Sequence, residues 1–566
     1  MTERFKLRAF RRLVGHFLHR LLRGSQEEGS DFELGAGALL GLLAAPSAFM
    51  TFFMLEEYST FLNWMRGQLH RDLLVASAPD KYLFLALAMG VTGIVTVLKW
   101  DRILPDTQDY LNLAPLPVRA RTVLLANTVA IAFAVVVFVV DVNAIPTLLF
   151  PLFVTAGAEA PLGVYLSFAA THAAVTALAS VFTFCAVFSV LGILSALLPR
   201  RVFRAAAAGL SAALLVAFLA LLFSAPAGRP LLRDVAAHPS SPSAWLPSVW
   251  FVALYQQWQH RGTPVFRVLA NRALVATAAA FLLMALSYAA SYRRRFAAVL
   301  EGAPRQSKRR LAAALLWALD RFAPRKAGFG RACHRFAVRA LVRSEPHRLA
   351  IAVALGLGCW LAVEEAAAGH WLEAPLVSAY LLILGLRVAF EIPALLPANW
   401  LFRAVVEAAS AETGPVARRV MLAFVSLCVL LPWFVVGVWR TGPAEALAAT
   451  AYVAALSVCL IEFLLEGYRK MPLACPMPGF RDNLPMLCLL HLLGFELFTR
   501  AGAALGTWML AAPVRLLLLP AAMLAAWQWN LRRRKDAREA GELEEGLTFE
   551  SLPPPAVERL NLSGSG

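Results

Sequence analysis

Apolar runs roughly 20 residues long recur from one end of this 566-residue chain to the other, and that recurrence decides the class of fold. A run of that length crosses a hydrocarbon core of about 30 Å as a helix, and within lipid every backbone polar group must be satisfied inside its own segment. A barrel would need short strands alternating apolar and polar residues, and no such alternation is present. The expected fold is therefore all-α, a polytopic integral membrane protein with about twelve transmembrane helices in two six-span halves. In the first half the spans are expected at 34–55, 82–99, 123–140, 164–198, 202–224 and 268–292. In the second they are expected at 349–363, 374–390, 420–438, 444–465, 484–498 and 507–529. Segment 164–198 is too long for one untilted crossing, so it either extends beyond the bilayer or is broken. Only 16% of the residues are charged, against about a quarter in soluble domains, so lipid is the solvent for most of the chain.

The net charge of +17 could suggest nucleic acid, but its distribution argues against that partner. Most of the 53 Lys and Arg fall in 1–32, 99–121, 199–204, 293–348 and 530–566. With the N-terminus inside, all of these are inner segments, as the positive-inside rule requires, and both termini are expected in the cytoplasm. The seven cysteines (185, 333, 359, 428, 459, 475 and 488) avoid the expected outer loops and form no CxxC pair. Neither a disulfide framework nor a metal site is implied.

The expected organisation runs from a basic amphipathic interfacial helix at 1–32 through a first six-span half at 33–292 to a basic cytoplasmic linker at 293–348. A second six-span half follows at 349–530, and a disordered tail at 531–566. Residues 3–23 interleave Phe5, Leu13, Phe17 and Leu21 with seven basic residues, a pattern that lies in the membrane interface with its charges toward anionic headgroups. A comparable stretch from Arg331 to Arg348 precedes the seventh span. Each half then carries a polar loop after its second span, 104–121 and 396–419. The first ends Pro117-Val118-Arg119-Ala120-Arg121 and the second Pro415-Val416-Ala417-Arg418-Arg419.

Motifs for chemistry are sparse. There is no GxxxxGK[ST] phosphate loop, no HExxH, no GxSxG and no dinucleotide-binding GxGxxG, so the chain is expected to be a non-enzymatic transport subunit with no cofactor of its own. Ionisable groups at membrane depth are functional candidates by default: Glu462, Glu496 and Arg500. Glu496 and Arg500 share a helix face at i, i+4 and either neutralise each other or form a proton or substrate site. Glu364, Glu365 and His370 fall at the outer end of the seventh span, and His491 stands alone on an apolar helix, where packing is the simpler role. The outer segment 243–258 holds Trp245, Trp250, Phe251, Tyr255 and Trp258, which reads as an interfacial aromatic belt or a re-entrant hairpin.

The stretch Trp100-Asp101-Arg102-Ile103-Leu104-Pro105-Asp106-Thr107-Gln108-Asp109-Tyr110, continuing at Leu116-Pro117-Val118-Arg119-Ala120-Arg121, resembles the inner loop of type-2 ABC exporter permeases. The basic N-terminal helix resembles that family's elbow helix, and Ala398-Asn399-Trp400 with Phe402-Arg403 is similar to a later piece of it. The resemblance implies a permease of the bacterial inner membrane. Two separate cytoplasmic ATPase subunits, which bind the ATP, would dock at 106–121 and 397–419. It also implies coupling roles for Asp106, Asp109, Pro117, Arg119, Arg121, Asn399, Trp400, Arg403, Arg418 and Arg419. Two alternatives remain open on the residues alone. One is an ion-coupled secondary transporter working through Glu462 or Glu496; the other is an integral-membrane transferase using Glu56 and Glu57.

Overall fold

A computed structural model describes residues 3–22, 36–58, 76–103, 120–224, 228–260, 262–299, 310–326, 328–394, 413–466, 468, 472–474 and 484–512, with isolated positions between 514 and 532. Every regular element among them is helical. Among the described residues, nine helices are long and apolar enough to cross a membrane, with a shorter apolar stretch at Leu43–Leu55. Large apolar side chains stand exposed along them, Phe53, Phe133, Val140 and Phe281 each by more than half. Such a surface is stable only against lipid. The chain is a multi-pass membrane protein.

The helices group into two compact units, Met1–Ser25 with Leu34–Gln306, and Ser307–Gly566. In the first, α1 (Glu3–Leu22) is the amphipathic helix, followed by α2 (Ala36–Glu57), α3 (Ala78–Ile103), α4 (Ala120–Gly157), α5 (Leu162–Leu197) and α6 (Arg200–Phe223). Short α7 (Gly228–Ala237) and α8 (Pro247–Trp258) precede α9 (Pro264–Val299). One of these is much longer than hydropathy indicates, and another settles whether a long run is broken. The run expected at 123–140 continues to Gly157, and the Asn143 amide donates to the Val139 carbonyl one turn back at 2.8 Å. The long segment expected at 164–198 is one unbroken helix of 36 residues.

Helix α5 is the spine of the first unit, packing on α3, α4 and α9. Its seam with α9 is made of small polar residues: Ser189 Oγ donates to the Ala280 carbonyl at 3.0 Å, and the Ser195 and Ser291 hydroxyls lie 2.6 Å apart. A Cβ at Gly192 would come 2.7 Å from Ser287 Oγ, so glycine is what lets these two helices touch. Helix α8 is 12 residues long, too short to cross, yet Phe251, Val252, Ala253 and Tyr255 are wholly buried inside the unit. Trp245 and Trp258 remain exposed.

The second unit begins with α10 (Arg310–Asp320) and α11 (Phe329–Arg343), then α12 (Glu345–Ala367) and α13 (Glu373–Glu391). Thr413–Thr441 is helical throughout, as α14 (Thr413–Val425), a π-turn at Ser426–Leu430 and α15 (Leu431–Thr441); α16 (Pro443–Leu464) follows. Buried α13 packs on α12 through Gly385 and Gly358, the Ser378 hydroxyl reaching the Gly358 carbonyl at 3.3 Å. The loop expected between spans 484–498 and 507–529 is helical. Residues α17 (Leu484–Glu496), a π-turn (Leu497–Ala501) and α18 (Gly502–Leu510) run on as one rod. The Tyr452 hydroxyl donates to the Gly502 carbonyl beside the π-turn, and the bare Gly506 faces Tyr452 and Leu372.

The two units repeat one packing relation. Helix α1 sets Phe17 and Leu21 against Val123, Ala126 and Ala130 of α4, and α11 sets Val338 and Leu341 against Val416, Ala417 and Val420 of α14. In each unit an amphipathic helix lies on the opening turns of the helix that leaves the polar loop.

Candidate functional site

The loops at 104–119 and 395–412 lie outside the described residues, and with them Asp106, Asp109, Pro117, Arg119, Asn399, Trp400 and Arg403. Their flanks are described, and each pair of flanks is fastened by polar side chains. In the first unit the fastener is Asn127, wholly buried in the second turn of α4. Its Nδ2 donates to the Ile103 carbonyl at the end of α3 (2.9 Å) and to the Tyr288 hydroxyl of α9 (2.8 Å). Its Oδ1 accepts from Arg20 Nη2 of α1 at 3.5 Å. One amide thus joins both ends of the loop to α1 and α9. Arg121, six residues earlier on α4, is exposed.

In the second unit the work is done by charge. Arg418 in the first turns of α14 donates from Nη2 to Glu462 Oε2 at the end of α16 (2.6 Å), with side chains 28% and 25% exposed. Across the loop, Arg387 near the end of α13 pairs with Glu391 and donates from Nε to the Leu464 carbonyl at 3.2 Å. Both flanks are therefore tied to the same end of α16. His347 adds a third link, its Nε2 lying 2.8 Å from the Ile392 carbonyl and its Nδ1 2.8 Å from Ser344 Oγ. The backbone of Leu473 bridges Phe390 and Ala394. Arg419 points outward. The structure thus brings together Arg418 and Glu462, which the sequence had assigned to different roles.

Glu496 and Arg500 meet at 2.7 Å with both side chains about half exposed, within one helix. His370 Nδ1 lies 2.9 Å from Glu365 Oε2, and with Glu373 these residues place three donor atoms within 4.8 Å of one another, a set that could reach one cation. Glu56 and Glu57 close α2.

Sequence reasoning missed a polar cluster in the first unit. Lys81 in the first turn of α3 is wholly buried. Its Nζ donates to Gln259 Oε1 at 2.6 Å and lies 5.1 and 5.0 Å from the ring centres of Phe168 and Tyr255. His172, also wholly buried, sets Nδ1 3.1 Å from the Tyr255 hydroxyl, and the Tyr58 hydroxyl donates to Asp80. Hydropathy begins this span at Tyr82 and so leaves Asp80 and Lys81 in a wetted loop. The helix starts at Ala78, which carries both inside. The signal that could have found the cluster is His172, an ionisable residue amid an apolar run.

Outside the spans, Asp320 on α10 holds Arg335 of α11 through Nε at 2.9 Å and Nη2 at 2.8 Å, a hydrogen-bonded pairing that lowers the carboxyl below its ordinary pKa. His334 is wholly buried with neither ring nitrogen hydrogen-bonded among the described residues. Burial holds its pKa below the ordinary value; Asp320 opposes that shift, while Arg419 and Arg335 add to it.

No family model matches the chain, nor does any curated protein or solved structure.

Proposed function

We propose that the chain is the membrane-spanning permease of an ATP-driven exporter of the ABC type, in which two six-span halves form the substrate pathway. Separate cytoplasmic ATPase subunits bind the nucleotide, and the loops at 104–119 and 395–412 receive them on the inner side. The observation that carries this reading is that both loops are anchored at their bases to a third helix, through Asn127 in one unit and Arg418–Glu462 in the other. A loop that only linked two spans would need no such anchoring. A loop that is pushed needs its displacement delivered to the helices around it, which requires rigid connections between discrete arrangements. The amphipathic helices lying on α4 and α14 stiffen the same places. The lack of a GxxxxGK[ST] motif in the sequence supports placing the ATP on another chain.

The test is charge reversal of Arg119→Glu with Arg121→Glu. Membrane insertion should survive, since many other inner Lys and Arg maintain the topology. Co-purification of the ATPase and transport should both fall, and wild-type levels of both would refute the coupling assignment. A second reading, ion-coupled transport, is favoured by one observation, the buried Lys81 among Gln259, Phe168 and Tyr255. Transport that persists without ATP and collapses with the membrane potential would select it.

A further inference from the structure

Residues 310–348 carry nine arginines and lysines against two acids, Asp320 and Glu345. They fold as a hairpin of two helices, α10 and α11, closed by the Arg335–Asp320 pair. One face of α11 is consumed by the core, with Cys333, Ala337, Val338 and Leu341 buried. Arg331, Arg335 and Arg339 recur at every fourth residue, which stacks them along one side of the helix. A cleft of about 680 Å³ opens there, lined by these three arginines and by Ala332, Phe336 and Ala340. The Arg335 charge is offset by Asp320, but Arg331 and Arg339 have no ion-pair partner among the described residues, and the Arg331 Nε is buried without a hydrogen bond.

The position of the cleft narrows its ligand. Helix α11 passes through the single residue Ser344 into α12, whose stretch Pro346–Ala367 is long enough to cross a membrane. The other arm of the hairpin exposes Trp317 by 63%, with the Arg321 guanidinium 4.1 Å from its ring centre, an arrangement typical of the headgroup layer. Two guanidiniums with no carboxylate in ion-pair contact among the described residues call for an oxyanion. The apolar part of the lining, and a volume several times that of phosphate, call for something attached to it. We propose that the cleft is a binding site for one anionic diacyl phospholipid. Arg331 and Arg339 hold the phosphate oxygens, while Phe336, Ala332 and Ala340 lie against the glycerol and first methylenes. This is a saturable site rather than the diffuse attraction any basic helix has for a charged membrane, and it is independent of the transport reading.

The experiment uses the full chain purified in non-ionic detergent and titrated with fluorescent phosphatidylglycerol. One lipid per chain should bind saturably, phosphatidylcholine should not displace it, and neither should millimolar inorganic phosphate nor an acidic peptide. Arg331→Gln with Arg339→Gln should weaken binding about tenfold or more, the loss expected for two charge-assisted contacts. Arg325→Gln with Lys326→Gln, which removes the same charge from the exposed turn between α10 and α11, should change it less than about twofold. Arg331→Lys with Arg339→Lys should recover part of the affinity, and its unfolding midpoint guards against a folding defect. Equal weakening by the two Gln pairs would overturn the site in favour of diffuse attraction. Displacement by phosphate would overturn it in favour of a free anion, and displacement by the peptide in favour of an acidic protein segment.

Discussion

The bases of the two loops are fastened with different chemistry. In the first unit a single uncharged amide, Asn127, is sealed away from solvent and satisfies groups from three other helices. In the second, Arg418–Glu462 and Arg387–Glu391 do so with charges that keep about a quarter of their surface wet. A buried amide has no alternative partner if it lets go, so its geometry is all or nothing. A partly hydrated ion pair can trade its partner for water at small cost. The first base is therefore the fixed one and the second the one that can open and close.

That distinction is exposed to experiment. Asn127→Ala should have the largest effect, because it removes the amide that joins the Ile103 carbonyl to the Tyr288 hydroxyl in the interior. A destabilisation of about 2–3 kcal/mol is expected, read as a lowered unfolding midpoint in detergent. A negligible change would mean that neither group depends on the amide. Arg418→Gln should cost less, about 1 kcal/mol after allowance for solvent screening. The exchange Arg418→Glu with Glu462→Arg should recover much of it. A loss as large as that of Asn127→Ala would erase the difference between the two bases.

The smallest effect is expected from pH. His334 is held below its ordinary pKa of 6.5 by burial. The folded state keeps it neutral while the unfolded state takes a proton, so its contribution is full above 6.5 and is lost as pH falls from there through the lowered value. Amide exchange of Phe329–Arg343, corrected for intrinsic rates, should quicken as pH drops below about 6.5, and His334→Phe should remove the dependence. Exchange at the start of α4, where Asn127 is neutral, should show no matching step. A step of equal size there would place the sensitivity elsewhere.

The existence of most helices was legible in hydropathy, because lipid demands apolar runs whatever their partners. Their ends were less so. Asp80 and Lys81 read as loop residues since hydropathy cannot tell a charge in water from one buried against Gln259, Phe168 and Tyr255. Residues 499–506 fell between two expected spans, yet they are helical, and the bareness of Gly502 and Gly506 admits Leu376, Leu456 and Tyr452. At the candidate site, the charge pattern singled out Arg418 and Glu462 separately, but nothing local pairs residues 44 apart. Asn127 left no trace, being one amide in an apolar run whose partners lie 24, 107 and 161 residues away.

Helix α4 has a consequence in plain geometry. Its 38 residues trace about 57 Å along the axis, nearly twice the hydrocarbon thickness, with Pro146 and Pro151 in the far half, and Asn127 grips it close to one tip. It is a pointer with its pivot near the end. A tilt of ten degrees about that pivot, too slight to break a single backbone hydrogen bond, would sweep the opposite tip through about 8 Å.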